Sequence, residues 1–341
     1  MKNFAEPLIL KNKHGVETRI NSRVMLAPMA GVTDVVFRGI VRQWAPDSLI
    51  CTEMISSNGL VYSKRWDAPI LDKTDTDHPI AYQLAASRVE VLIEAAQNIE
   101  RDHKPETIDL NMGCPVKKIT GNFEGCALMK DPAHAHLLIS SLVKAIDTPV
   151  TVKFRLGWDS NSMNYLEFGQ MCEDAGASMV TVHARTRAQG YKPGVKWDAF
   201  SDLKHALKIP VIGNGDINTM ADAITVMNDY GTDGVMIGRG CLGKPWMLGQ
   251  IDKALKTGAL PQELSIKQKL DIAYAHAEAL SEYKGEQIAV REMRRHLTDY
   301  VHGFRGASNF RTQMVHVNTL AEVRAILNEV IAAADALALA V

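Results

Sequence analysis

An apolar, strand-forming run, Ile108-Asp109-Leu110-Asn111-Met112, stops at Gly113-Cys114-Pro115 and leaves one thiol at its carboxyl end. In parallel α/β architectures that end of a strand is where ligands sit and chemistry occurs. A lone cysteine is usually a small packing residue, so the placement of Cys114 makes it a catalytic candidate. Other apolar runs end in groups of matching chemical use: Pro28-Met29-Ala30-Gly31, Gln83, Lys153 with Arg155, His183 with Arg185, Asn214-Gly215-Asp216, and Gly238-Arg239-Gly240. The glycines after the last two runs expose backbone N–H groups to a phosphate. Lys153 lies inside an apolar strand. Its stem could simply pack while the ammonium reaches water; alternatively it is a fixed cation beside a ring that becomes anionic on reduction. A flavin is such a ring, charge at its edge tunes it, and Gln83 offers the donors and acceptor its polar rim needs.

These groups act together only if the strands share one mouth. Apolar runs recur at 24–27, 49–54, 79–84, 107–112, 149–154, 179–183, 210–213 and 234–238, with helical periodicity between most of them. Strands that are apolar without alternation belong to a parallel sheet covered by helices. Eight strand–helix units in about 250 residues predict a (β/α)8 TIM barrel; a doubly wound sheet is the alternative. Thr33-Asp34, Asp131-Pro132 and Asn218-Thr219 stand where helix caps are expected. Beyond residue 256 no strand-like run follows, and 264–283, 288–301 and 320–337 read as helices. The division expected is a barrel at 1–256 and a small α-helical domain at 262–341.

The net charge of −1 announces no polyanion partner, so any such site must come from local clustering. Five dispersed cysteines without a C-x-x-C pair predict neither disulfides nor a metal site and fit a reducing compartment. No run of about 18 apolar residues is present, which predicts a cytoplasmic protein without a membrane span. Gly238-Arg239-Gly240-Cys241-Leu242-Gly243 fits G-x-G-x-x-G. A dinucleotide fold would also need an acidic residue about 20 positions on at a strand end. Glu263 has the spacing but follows no strand, so the loop reads as the phosphate cradle of a mononucleotide.

The chain resembles the flavin-dependent tRNA-dihydrouridine synthases, nearest their bacterial B-type branch. The likeness runs through Leu26-Ala27-Pro28-Met29-Ala30-Gly31-Val32-Thr33-Asp34, Asp109 to Pro115, Val152-Lys153-Phe154-Arg155-Leu156-Gly157-Trp158, Val182-His183-Ala184-Arg185-Thr186-Arg187, Pro210 to Ile217 and Gly234 to Gly240. Ala184, and Ala85-Ala86 after Gln83, stand where that family often has glycine. The resemblance implies FMN held by Pro28, Met29, Ala30, Gln83, Lys153, His183, Asn214, Gly215, Asp216, Gly238 and Arg239. It implies NADPH (or NADH) as reductant and tRNA as substrate; no metal is expected, and a monomer is expected because the tRNA supplies a large interface. It implies hydride delivery to C6 of uracil and a proton to C5 from Cys114. That role needs a thiol, and the ordinary cysteine pKa of about 8.5 already suits it.

Asn111, Lys153 and Arg185 are expected to hold the base. In the helical region, Arg291, Arg294 and Arg295 face away from the apolar side formed by Ala289, Met293, Leu297 and Val301, and Arg305 and Arg311 follow in a loop-like stretch. These are the expected RNA contacts, although each arginine alone reads equally as a solvated face. Two other readings stay open: a flavin barrel reducing a free pyrimidine or small enone, and an RNA-binding protein on an inactive barrel.

Overall fold

A computed structural model describes residues 4–302 and 306–338. Two short strands, β1 (Leu8–Lys11) and β2 (Glu17–Ile20), pair as an antiparallel hairpin. Eight more follow: β3 (Val24–Leu26), β4 (Ile50–Ser56), β5 (Ile80–Ala85), β6 (Thr107–Met112), β7 (Val150–Arg155), β8 (Met179–His183), β9 (Val211–Asn214) and β10 (Gly234–Ile237). They close in the order β10-β3-β4-β5-β6-β7-β8-β9, every pair parallel. This is the (β/α)8 barrel expected, with strand limits one or two residues from the apolar runs.

Closure buries both faces of every strand. The inner layer gathers Met25, Cys51, Ala81, Met179, Ile212 and Met236, and the hairpin adds Leu8, Leu10 and Ile20 to it. Ser178 donates to the Lys11 carbonyl (2.6 Å) and Arg23 to the Glu6 carbonyl (2.9 Å), both from residues just before strands. The hairpin therefore caps the N-terminal end, and ligands enter from the other. It was not anticipated from the sequence, because four-residue strands on either side of a turn carry too little periodicity. Outside the barrel, Asp34, Asp131 and Thr219 cap helices Val35–Arg42, Pro132–Ala145 and Met220–Asn228 as expected.

After helix Met247–Thr257 the chain forms helices Ile266–Lys284, Glu286–Tyr300, Ala307–Met314 and Leu320–Ala338. Their own core, including Leu270, Ala277, Met293, Leu297 and Val323, takes in Trp246 and packs on Val36 and Trp44 of the barrel. The third of these helices corrects the expected loop: Arg311 lies within it and donates to the Val301 carbonyl (3.3 Å). Arg305 lies outside the described residues. Among the described residues no helix is long and apolar enough to cross a membrane.

Gly249 sits in helix Met247–Thr257 against the Trp44 carbonyl, which a Cβ would overrun. Gly→Ala inside a helix normally gains up to ~1 kcal/mol. Here Gly249→Ala is expected to lose about 3 kcal/mol through the backbone clash, measured as the shift of a urea unfolding curve.

Candidate active site

The thiol is held by a chain of amides. Asn111, the fifth residue of β6, accepts the backbone N–H of Cys114 on Oδ1 (2.9 Å) and that of Gly113 (3.3 Å). Its Nδ2 donates to Gln83 Oε1 (2.7 Å), whose Nε2 donates to Asp109 Oδ2 (2.7 Å). Thr151 donates to the other carboxylate oxygen (2.6 Å). Asp109 sits inside the barrel, where burial raises its pKa and these two donors oppose the rise. With both carboxylate oxygens accepting, Gln83 turns Oε1 toward Asn111, and Asn111 turns Oδ1 toward the thiol's turn. Gly125 completes the seat: its φ is +59°, and a Cβ there would press on the Cys114 carbonyl and Cβ.

Cys114 is half-buried and lines a cavity of about 310 Å³ together with Ala30, Gln83, Asn111 and Arg155. Burial raises the thiol's pKa, against a hydrogen bond from Val116 N–H and the charges of Arg155 and Lys153. Cys51, Cys126, Cys172 and Cys241 are buried in packing positions. Cys126 and Cys241 are pushed up to about 12 by burial.

A second cavity of about 420 Å³ contains Asn214, Gly215, Asp216 and Gly238. It joins the first through Pro28, Met29, Lys153, His183, Arg239 and Tyr191, which line both. Lys153 Nζ donates to Asn214 Oδ1 (3.0 Å), while Asn214 Nδ2 donates to the Met236 carbonyl (2.7 Å). Burial, with Arg155 alongside, brings the Lys153 ammonium down to about 8. Burial and the cations Arg155, Lys153, Arg185 and Arg239 hold His183 well below its ordinary range, so its ring is neutral. His183 Nε2 is buried without a hydrogen-bond partner, a state that calls for a ligand atom or water. Gly215, at φ +118°, brings backbone against the His183 ring, and a Cβ there would stand 3.3 Å from it. An orphaned ring nitrogen, exposed loop backbone and excess positive charge fit a mononucleotide with a polar ring and a phosphate.

Two expectations are corrected. Arg185 is 1% exposed and lines neither cavity: Nη1 and Nη2 grip Asp216 at 2.9 and 2.5 Å, and Nε donates to the Lys192 carbonyl. It therefore fastens the β8 and β9 loops and does not face the space where a base would sit. Arg155 lines the Cys114 cavity instead, anchored through Nε to the Gly113 carbonyl (2.8 Å). Arg294 ties its helix to the next turn, donating to the Val317 carbonyl and Asn318 Oδ1, both at 2.9 Å. Arg291 and Arg295 are exposed, and Arg295 reaches the mouth, lining the Cys114 cavity.

Tyr191 was missed. Arg155 secures its loop through the Thr186 and Gly190 carbonyls, and the ring stands 4.4 Å from the Arg239 guanidinium and 6.1 Å from the His183 ring. An exposed tyrosine in a loop after a strand end was the only signal available for it.

A closed parallel barrel with thiol, cations and glycine loops at one mouth defines a (β/α)8-barrel enzyme. Residues 25–337 match the dihydrouridine synthase (Dus) family, and the chain belongs to it. It is 40% identical over 315 residues to a probable tRNA-dihydrouridine synthase 1 of Synechocystis sp., covering 92% of this chain and 88% of that one. It is 37% identical over 301 residues to tRNA-dihydrouridine synthase B of Xanthomonas campestris pv. campestris, covering 88% and 90% respectively. In fold it is similar to the old yellow enzyme homologue from Zymomonas mobilis (NCR), with TM-score 0.53, 12% identity, and 77% and 95% of the two chains covered.

The lowered pKa of Lys153 has a stability consequence. The folded state binds this proton less tightly than the unfolded one, so the cost of the charge is fully present below about pH 8 and disappears as pH rises to 10.5. Lys153→Met is expected to stabilise the ligand-free protein at pH 7 by up to about 3 kcal/mol, with the gap to wild type closing between these limits. Denaturant curves across that pH range measure it.

Proposed function

We propose that the enzyme binds FMN across the two joined cavities and uses electrons from NADPH, or NADH, to reduce the C5=C6 bond of uridines in tRNA to dihydrouridine. The observation that carries this reading is the convergence of the Cys114 thiol, the Lys153 cation and the unpartnered His183 Nε2 on one continuous space. Lys153, His183 and Gln83 would hold the polar ring, with Pro28, Met29 and Ala30 against it. Asn214, Gly215, Asp216, Gly238 and Arg239 would hold the phosphate end. The bound cofactor supplies a hydride to C6 of the base.

The chain's own residues do the rest. Cys114, kept protonated by burial, gives its proton to C5; a thiol does this and a thiolate cannot. Asn111 holds the Cys114 turn at the base. Lys153 and Arg155 stabilise the negative charge that develops on the uracil carbonyls, Arg155 taking the role expected of Arg185.

A stacked uridine cannot bring its ring to a half-buried thiol, so the base must leave its stack. Residues 262–341 serve as the RNA-binding region, with Arg295 at the mouth and Arg291 one helical turn behind it. That arrangement favours a macromolecular substrate over a free pyrimidine, and an inactive scaffold would have no use for the thiol and its amide chain. The chain works in the cytoplasm as a monomer.

Cys114→Ala is expected to purify with its flavin absorbance intact and to lose at least 100-fold in dihydrouridine formation on tRNA. Near wild-type turnover removes Cys114 from the chemistry. Arg291→Glu with Arg295→Glu should weaken tRNA binding and flatten its salt dependence without altering flavin content. A gel-shift series across salt concentrations reads both effects, and unchanged binding moves the RNA to another surface.

A further inference from the structure

The loop that follows Cys114 buries a carboxyl group that the chemistry above leaves unused. Glu124 is 2% exposed, whereas its neighbour Phe123 is 41% exposed. Burial favours the opposite choice, since a phenyl ring gains by leaving water and a carboxylate loses. The backbone enforces it. Phe123 and Gly125, on either side of Glu124, both have φ +59°, a conformation natural to glycine and uncommon for phenylalanine.

This segment lies against the thiol's turn. The Cys126 N–H donates to the Cys114 carbonyl (3.1 Å), and a Cβ on Gly125 would stand 3.1 Å from the Cys114 Cβ. Asn58, in the first turn of helix Ser57–Ser63, donates to Glu124 Oε1 (3.0 Å). Among the described residues no cation pairs with Glu124, although a glutamate so deeply buried is ordinarily paired.

Other groups around the thiol pull its proton away. Lys153 and Arg155 of β7 favour the thiolate, as does the Val116 N–H. Arg239, Arg295 and the neutral His183 line the same cavity, and Cys126 beside Glu124 is a buried neutral thiol. Burial opposes ionisation of Cys114, and the charge of Glu124 adds to burial. Burial also raises the pKa of Glu124 itself, against the Asn58 hydrogen bond. The carboxyl group is nevertheless ionised at the alkaline pH where a thiol titrates.

We propose that Glu124 is a positioning residue for the reaction: its buried negative charge keeps the proton on Cys114 Sγ against the pull of Lys153 and Arg155. The inference rests on the reading of Cys114 as proton donor, and its test keeps the two apart. Flavin-loaded protein is alkylated with iodoacetamide between about pH 7 and 11, and the Cys114 peptide is followed by mass spectrometry.

Glu124→Gln keeps an oxygen for Asn58 and removes only the charge. Its alkylation profile should move to lower pH by about half a unit or more, making modification about threefold faster at pH 7. The alkaline limb of dihydrouridine formation should move with it. Glu124→Asp should restore most of the wild-type profile, and Glu124→Ala, which also releases Asn58, should match the glutamine variant. An unchanged profile in Glu124→Gln overturns the proposal. A shift in Glu124→Ala alone overturns it too, and makes Glu124 a tie between loops. A shifted alkylation profile with an unmoved alkaline limb would instead refute Cys114 as the proton donor and leave the hold of Glu124 on the thiol standing.

Discussion

Four cations, Lys153, Arg155, Arg185 and Arg239, share one barrel mouth, and their mutual repulsion organises the site. Asp216 and the deeper Asp109 stand against them. Burial, with repulsion added, brings Lys153 down to about 8 and keeps His183 neutral. The same charges partly oppose the rise that burial imposes on Cys114. The mouth therefore favours an electron-rich occupant and keeps a neutral thiol beside it. One of the four is withdrawn from ligand contact altogether: the bidentate Arg185–Asp216 pair ties two loops together and shapes the pocket without entering it.

Opposite the cations, polarity is set by a carboxylate that never reaches the cavity surface. Asp109 acts through Gln83 and Asn111 on the turn that carries Cys114, and each link leaves the next amide one usable orientation. Barrel closure makes this possible. Neighbouring parallel strands β5 and β6 put Gln83 beside Asp109 in register, and Thr151 of β7 reaches the same carboxylate from the other side. Hydrogen bonds in so dry an interior are strong when satisfied and costly when broken, which keeps the thiol's position narrow.

The helical segment is more than an appendage. Its core takes in Trp246 and leans on Val36 and Trp44, so its placement is coupled to the barrel's own packing. Phe37 stacks on His296 and meets His276 at a tilt across the same junction. This docking brings Arg295 to the mouth.

The barrel was legible in the sequence because a strand buried on both faces must be apolar nearly throughout, and eight such runs alternate with helical periodicity. The strand-end residues were legible for the same reason, since a polar group that ends a buried strand stands out: Cys114, Lys153, His183 and Asn214 all lie at the mouth. The hairpin and helix Ala307–Met314 were not, being too short to carry a period. What each polar group touches was also beyond the sequence. Arg155 and Arg185 end adjacent strands with like chemistry, yet one lines the cavity and the other is locked to Asp216. Tyr191 gains its place from a loop pinned by Arg155. Sequence alone determined which side chains stand at strand ends, because burial dictates local pattern. Tertiary structure decided which of them face a ligand and which face each other, because that depends on barrel closure and on loops distant in the chain.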